Sequence, residues 1–193
     1  MSPKTATQNE EIRRQSSAKI MQAAFELFAK HGYETTSIAQ IAKEAGVSKG
    51  LLYNYFSSKE DLLKSLIEQA MHEGDDLVEK LVAEDPKETL RNMFVWFRKD
   101  LVERSEQWKL MTELALQVNK FEFVQEIITV KMQQHINQTE ELLTAIGFEN
   151  PRHEAQLIMA MFDGLGMQYL VVKDDLAIDE ITSYLIEKYC NKK

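Results

Sequence analysis

The chain has 193 residues, of which 44% are hydrophobic and 28% are charged, so it has enough apolar material for one domain or two modest ones. No apolar run approaches the roughly 20 residues that a membrane-spanning helix needs, and the polar N-terminus lacks the apolar segment of a secretory signal. A single cysteine, Cys190, excludes an internal disulfide framework and favours a reducing cytoplasm.

The net charge of −8 is unevenly distributed along the chain. Residues 1–56 carry seven basic and five acidic side chains, which leaves 16 basic and 26 acidic side chains for the remainder. Nucleic-acid binding needs a locally positive surface, not a positive chain. The first segment is therefore compatible with DNA binding, and the acidic remainder would repel DNA.

Residues 1–9 are polar, and we expect them to form a disordered N-terminal arm. A first helix is predicted from about Glu10 to His31, because apolar side chains recur along one face at helical spacing. Gly32 is a natural stop for this helix.

Two short helices are predicted next. Ser37 and Gln40 fit a capping box, in which each side chain satisfies a free amide of the first turn. Gly46 ends the first short helix, because glycine readily adopts the left-handed conformation. Ser48 caps the second, which runs to about Phe56. Two short helices joined by a tight glycine-containing turn form a helix-turn-helix.

The second short helix has a polar outer face over an apolar anchor formed by Leu52 and Phe56. A helix that reads DNA needs donors for phosphates and base edges, held rigid by a few apolar residues behind them. An ordinary helical hairpin with a solvated face is the alternative. The hydroxyl, amine, amide and phenol groups of the outer face belong to Ser48, Lys49, Tyr53, Asn54 and Tyr55.

The remaining sequence predicts helices only. Ser57 and Glu60 fit a second capping box, which opens a linking helix over 57–83. A further helix begins at Asp85 and Pro86, and a short break follows near Asn119-Lys120. With no strand alternation and no repeat, we predict an all-α fold of about nine helices. Its domains are a three-helix DNA-binding domain at 10–56 and a larger ligand-binding and dimerisation domain at 57–193.

The sequence over roughly residues 15–64 resembles the signature of TetR-type transcriptional regulators. That resemblance implies a homodimer that binds double-stranded operator DNA and is usually released by a small molecule. The residues that carry it are Thr36, Ile41, Ala42, Ala45, Gly46, Val47, Ser48, Gly50, Leu52, Tyr53, Tyr55, Phe56, Lys59 and Leu62.

The resemblance also implies which residues contact DNA. In the family, phosphate contacts commonly come from residues that match Thr36, Lys49, Tyr55 and Lys59. Positions in or at the major groove match Ser48, Gly50, Tyr53 and Asn54. Asn54 departs from the aromatic residue often found there. With Ser37 at the helix start, the candidate DNA-binding residues are Thr36, Ser37, Ser48, Lys49, Gly50, Tyr53, Asn54, Tyr55 and Lys59.

Residues 157–172 are the most apolar stretch after the helix-turn-helix, too short for a membrane and too apolar for an exposed helix. Together with a final helix near 178–189, they are expected to form the four-helix dimer contact usual in this family. A monomer core is the alternative. The candidate interface residues are Leu157, Met161, Gly164, Leu165, Ile181 and Leu185.

Methionine and aromatic side chains are concentrated in the second domain, where thioethers and flat rings are suited to wrapping varied apolar ligands. The same residues at helical spacing also make an ordinary core. A lipophilic drug, a fatty acyl chain and an aromatic metabolite remain open as effectors. The candidate ligand-binding residues are Met93, Trp96, Phe97, Trp108, Met111, Phe121, Met132, Met159 and Phe162.

The chain shows no signature of catalysis. Its four histidines lack metal-ligand spacing, and it has no glycine-rich phosphate loop and no nucleophile elbow. We therefore expect no enzymatic activity, no catalytic residue, no metal and no cofactor. The expected function is a cytoplasmic, ligand-responsive repressor that a small hydrophobic molecule releases from its operator. Alternatives are a DNA-binding architectural or recruiting factor without such a switch and, more distantly, a helical interaction protein that has lost DNA binding.

Overall fold

The computed structural model describes residues 6–116 and 121–191. Within these ranges the chain forms nine α-helices, a short 3₁₀ turn at Lys173–Asp175 and no strand, so the all-α prediction is confirmed. The predicted break at Asn119-Lys120 lies outside the described residues. The helices are α1 (Ala6–His31), α2 (Ile38–Glu44), α3 (Lys49–Tyr53), α4 (Lys59–Leu81), α5 (Pro86–Glu103), α6 (Ser105–Ala115), α7 (Glu122–Ile146), α8 (Pro151–Val172) and α9 (Ile178–Cys190).

The chain divides into two compact units, residues 1–70 and residues 71–193, which we call the N-terminal and C-terminal units. The division lies inside α4, whereas the sequence placed a domain boundary before that helix. Each unit has its own buried apolar residues.

The N-terminal unit is held together by apolar side chains from all four of its helices. Ile20 and Phe28 of α1, Ile41 of α2, Leu52 of α3 and Leu63 of α4 are all fully buried. Each fully buried side chain of this size contributes roughly 1.5–3 kcal/mol of transfer free energy. The predicted apolar face of the first helix is therefore the face that packs.

Helix α1 begins earlier than the sequence suggested. It starts at Ala6, so residues 6–9 are helical and not part of a disordered arm, and residues 1–5 lie outside the described residues. Ala6 and Gln8 have high helix propensity, and extending a helix that already exists is easier than nucleating one.

The residue that caps α4 also differs from the prediction by one position, Ser58 in place of Ser57. The Ser58 hydroxyl accepts the Asp61 backbone N–H at 2.9 Å, and the Asp61 carboxylate accepts the Ser57 backbone N–H at 2.7 Å. The second capping box is therefore not Ser57–Glu60. The Asp61 side chain reaches back one turn to the free Ser57 amide, as the acidic partner of a capping box does.

In the C-terminal unit, helices α5, α7, α8 and α9 share one buried cluster, with Leu90, Phe94, Leu143, Ile158 and Tyr189 among its members. The ends of these helices follow ordinary rules. Asp85 caps α5 through the Lys87 backbone N–H at 2.9 Å, with Pro86 in the first turn. Gly147 ends α7 with φ of +96°.

Helix α8 is longer than the apolar stretch identified in the sequence. It has 22 residues and, among the described helices, is the one long and apolar enough to cross a membrane by length and composition. Because the helix extends back to Pro151, its length alone does not exclude a membrane span, although the 16 residues of the apolar stretch are too few for one. Core helices of water-soluble proteins meet the same criterion, so this evidence for a membrane is weak.

Candidate nucleic-acid interface

Helix α2 begins and ends as the sequence predicts. The Ser37 hydroxyl accepts the Gln40 backbone N–H at 3.3 Å, and the Gln40 side chain accepts the Ser37 N–H at 2.8 Å. At the other end Gly46 has φ of +68°. Its N–H donates to Lys43, and the Val47 N–H donates to Ala42 at 2.9 Å. These two bonds form a Schellman motif, which fixes the turn into α3.

Helix α3 is short, and apolar side chains on one side of it anchor it to the core. The Ser48 hydroxyl accepts the Leu51 N–H at 3.1 Å, so Ser48 caps the helix. Leu52 is fully buried and Phe56 is 5% exposed. The helix ends at Tyr53, earlier than expected, because Tyr55 N–H bonds back to Leu52 in a tighter turn.

The polar outer face of α3 is open to solvent. Lys49, Gly50 and Asn54 are exposed, Tyr53 is 53% exposed, and none of these side chains is needed by the core. This surface, residues 48–50 with Tyr53 and Asn54, is called the α3 face below. It places hydroxyl, amine, phenol and amide groups side by side on one rigid turn.

Tyr55 is half-buried beside the α3 face, and Arg13 of α1 lies over it. The guanidinium carbon of Arg13 is 6.0 Å from the centroid of the Tyr55 ring, within the range of a cation–π contact. Sequence reasoning did not select Arg13 as a site residue, because its proximity to Tyr55 depends on how α1 packs.

Two residues expected to contact phosphate, Thr36 and Lys59, form hydrogen bonds within the protein. Thr36 is 2% exposed, and its hydroxyl donates to the Gly32 carbonyl at 2.9 Å. Lys59 donates from Nζ to the carbonyls of Tyr33 at 2.8 Å and Thr36 at 3.0 Å. The burial of Thr36 argues against a phosphate contact by its side chain, a point that spacing alone does not reveal.

Comparison with known proteins agrees with this geometry. Residues 20–66, which contain α2 and α3, match the family model described as bacterial regulatory proteins, tetR family. Residues 20–66 of the chain belong to the tetR family. The match lies within the N-terminal unit and includes no residue of the C-terminal unit.

Similarity to individual proteins extends beyond α4. The uncharacterized HTH-type transcriptional regulator YerO of Bacillus subtilis is 33% identical over 185 residues, covering 88% of this chain and 62% of YerO. The fatty acid metabolism regulator protein of the same organism is 31% identical over 131 residues, covering 65% of each chain. The chain thus spans less than two thirds of the length of these relatives.

A solved structure shares the fold of this chain. The TetR-family transcriptional regulator from Agrobacterium tumefaciens superposes with a TM-score of 0.79, covering 92% of this chain and 99% of that one, at 21% identity. At this identity the similarity establishes the common fold and not a common ligand.

The C-terminal unit brings several predicted ligand-binding residues together. The Phe97 and Phe162 rings stack with centroids 4.2 Å apart, and Trp108 meets Phe97 edge-on at 5.6 Å. Trp96 packs against the buried cluster that contains Phe97. Met93 and Met159 pack against the buried cluster that contains Phe94. We call Phe97, Trp108 and Phe162 the aromatic cluster.

The other predicted ligand-binding residues are placed differently. Phe121 is 8% exposed and its ring centroid lies 5.9 Å from that of Phe123, and Met111 is half-buried. Met132 is 47% exposed, so the structure does not place its side chain in the interior of the C-terminal unit. Met132 lies on the outward side of α7. A methionine in the sequence does not indicate whether its side chain points into or out of the protein.

Polar groups that the sequence did not single out hold Trp108 in place. The Trp108 Nε1–H donates to Asp100 at 2.9 Å, and Arg104 donates to the other Asp100 oxygen at 3.2 Å. Arg104 also reaches Glu73 of α4 at 3.4 Å. Asp100 and Arg104 are four residues apart, a spacing that brings side chains together on a helix. The bonds to Trp108 of α6 and Glu73 of α4 join different helices, and no spacing rule predicts them.

The predicted interface residues divide between core and surface. Leu157 is 56% exposed, and Gly164 has open space around the position of a Cβ. Met161, Leu165 and Ile181 are half-buried against the core cluster. Leu185 is 5% exposed and belongs to that cluster, so its apolar surface is already used within one chain. Exposed apolar side chains missed by the sequence are Met167, Val171, Val172 and Tyr184.

Proposed function

We propose that this chain is a homodimeric DNA-binding transcriptional repressor of the cytoplasm, released from its operator when a small hydrophobic molecule binds the C-terminal unit. The observation that carries the proposal is the exposed polar α3 face above a fully buried Leu52. A recognition helix needs this division between a rigid apolar anchor and free polar groups.

The proposed DNA contacts follow from exposure. Lys49 is exposed and forms no ion pair with any residue that the structure describes, so its ammonium is free to neutralise a phosphate. Tyr53 and Asn54 offer groups for base edges, and Gly50 lets the backbone approach the groove. The proposed set is Ser37, Ser48, Lys49, Gly50, Tyr53, Asn54 and Tyr55, without Thr36 and Lys59.

Dimerisation is proposed through α8. Its outward side carries Leu157, Ala160, Gly164, Met167 and Val171, which recur at helical spacing and are exposed or half-exposed in one chain. A contiguous apolar stripe of this kind is unusual on a monomer surface. A second copy of α8 would cover it in an isologous contact, and a two-fold dimer matches two half-sites about one helical turn apart.

The proposed effector is lipophilic, because the interior of the C-terminal unit offers aromatic rings and thioethers with few polar groups. The relative named a fatty acid metabolism regulator supports a molecule with an acyl chain, alongside drugs and aromatic metabolites. Release from DNA requires that the effector bind the two conformations with different affinity.

The first test is DNA binding by the full chain. Duplexes are selected from a random-sequence pool and their affinity is measured against salt concentration. We expect sequence-selective binding whose salt slope falls by about 0.9 for each phosphate that Lys49→Gln no longer neutralises. Tyr53→Ala should reduce selectivity, and Lys80→Gln, an exposed lysine at the far end of α4, serves as control. If folded Lys49→Gln and Tyr53→Ala bind as the parent does, the assignment of the α3 face fails.

A second candidate function is DNA binding without a small-molecule switch, as an architectural or recruiting factor. The stacked contact of Phe97 and Phe162 at 4.2 Å favours it, since rings packed on each other are already a satisfied core. Thermal unfolding in the presence of lipophilic compounds separates the two candidates. An effector raises the melting temperature with its concentration, whereas a solid core shows no such response.

A further inference from the structure

The ammonium group of Lys59 is enclosed by backbone carbonyls. Nζ lies 2.8 Å from the Tyr33 oxygen, 3.0 Å from the Thr36 oxygen and 3.5 Å from the Glu34 oxygen. A lysine ammonium has three N–H donors and no acceptor. The three carbonyls can therefore use all of its donors, which leaves none for a phosphate.

An aromatic ring completes the enclosure. Nζ of Lys59 is 4.1 Å from the centroid of the Tyr33 ring, which is itself packed 5.2 Å from Phe28. Burial raises the pKa of Tyr33 to about 12, with smaller contributions from Glu60 and Glu34, so the ring stays neutral at physiological pH. A cation over such a ring is favoured by the electrostatics of its face.

The enclosure lies where three helices meet within the N-terminal unit. Lys59 is the first residue of α4, and the carbonyls belong to the turn between the end of α1 and Ser37, which caps α2. The Thr36 hydroxyl ties the same turn to Gly32. One ammonium group thus connects the start of α4 to the segment that sets the start of α2.

We propose that Lys59 is a positioning residue of the DNA-binding unit, which pins the first turn of α4 to the 33–36 turn and makes no contact with DNA phosphate. The inference rests on the proposed DNA binding. It separates Lys59 from Lys49, whose ammonium is exposed on the α3 face.

The enclosure is tested on the free protein. The full chain is treated with acetic anhydride, and the acetylation rates of Lys59 and Lys49 are followed by mass spectrometry. Lys59 should react about tenfold or more slowly, because its amine must first leave its acceptors. Upon DNA binding Lys49 should become protected while the rate at Lys59 stays unchanged. Equal rates for both lysines in the free protein would overturn the proposal.

The positioning role is tested by Lys59→Met and Lys49→Met on a duplex selected by the parent chain, at a temperature where both variants are folded. Lys49→Met should lower the salt slope by about 0.9 for each phosphate that the Lys49 ammonium neutralises in the parent. Lys59→Met should weaken binding by about tenfold at every salt concentration with an unchanged slope, as expected when base contacts are misaligned. Its melting temperature should fall by about 3 °C or more.

The alternatives give different results. A reduced salt slope in Lys59→Met means a phosphate contact, and an unchanged affinity means that Lys59 supports stability alone; either result overturns the proposal. If the parent selects no duplex at all, the proposed function fails, whereas the acetylation of the free protein still decides whether the enclosure exists.

Discussion

Trp108 and Gly166 lie so close together that a Cβ at position 166 would be 3.0 Å from Cζ3 and 3.1 Å from Cε3 of the indole. The indole cannot easily move away. Its Nε1–H donates to Asp100 at 2.9 Å, and its edge meets the Phe97 ring at 5.6 Å. The nearby Gly164 has no heavy atom within 4 Å of the same position.

We expect Gly166→Ala to lower the free energy of unfolding. Overpacking costs about 1–3 kcal/mol, which exceeds the roughly 1 kcal/mol that alanine gains over glycine in a helix. Gly164→Ala is the matched control and should raise stability by about 0.5–1 kcal/mol in the single chain. Urea unfolding of both variants, at concentrations where they share one oligomeric state, measures the difference. Equal stabilities would contradict the close packing.

The capping of α4 predicts which of two adjacent serines contributes more to the stability of the protein. Ser58 accepts the Asp61 backbone N–H, whereas Ser57 is outside the first turn and donates its hydroxyl to the Asp61 carboxylate. Ser58→Ala should therefore cost about 1 kcal/mol, the usual value for removal of an N-cap, and Ser57→Ala should cost less. Thermal unfolding of the two variants tests this. The reverse order would restore the box that the sequence suggested.

Tyr189 predicts a loss of stability at alkaline pH. Burial raises the pKa of Tyr189 to about 12, and Glu154, which accepts its hydroxyl at 3.1 Å, adds to the shift. The folded chain keeps this proton above pH 10 while the unfolded chain releases it. Stability should thus be fully present below pH 10 and fall toward pH 12 by at most about 1.4 kcal/mol per pH unit from this group.

The variant Tyr189→Phe should show a shallower decline of stability above pH 10 than the parent. Tyr184→Phe is the control, because Tyr184 is 63% exposed on the same helix. Denaturant unfolding at a series of pH values measures the slope. A parent-like slope in Tyr189→Phe would mean that another group carries the alkaline transition.

The exposed stripe of α8 predicts a specific effect on self-association. Leu157 is 56% exposed in one chain, so Leu157→Glu should leave the fold of the chain intact and shift the protein from dimer to monomer. Val130→Glu, at a residue of α7 that is 65% exposed, should leave the dimer unchanged. Sedimentation velocity over a concentration series distinguishes these outcomes, and a dimeric Leu157→Glu would place the interface elsewhere.

Local signals predicted helices well because capping and periodicity depend on neighbours in sequence. The Ser37–Gln40 box, the positive φ of Gly46 and the Asp85 cap all follow from residues within a few positions of one another. The wrong assignment of the second capping box to Ser57 also comes from reliance on local signals. Two adjacent serines followed by two adjacent acids fit the same motif in more than one register, and only packing decides between them.

Contacts between distant residues could not be predicted in the same way. The enclosure of Lys59 joins residues 23 and 26 positions apart, and the bond from Trp108 to Asp100 crosses from one helix to another. The sequence does not distinguish a lysine or a methionine that faces inward from one that faces outward, as Lys59 and Met132 show. Their direction depends on the packing of whole helices, which no local pattern encodes.

Helix α3 contributes one fully buried side chain and several exposed ones within five residues. Folding and recognition therefore make nearly separate demands on this segment, since substitutions at exposed sites usually change stability by less than about 0.5 kcal/mol. Simultaneous randomisation of Lys49, Tyr53 and Asn54, with Leu52 kept, should yield variants that fold alike and differ in the DNA they select. Such a set would be a source of DNA-binding units with different target sequences built on one scaffold.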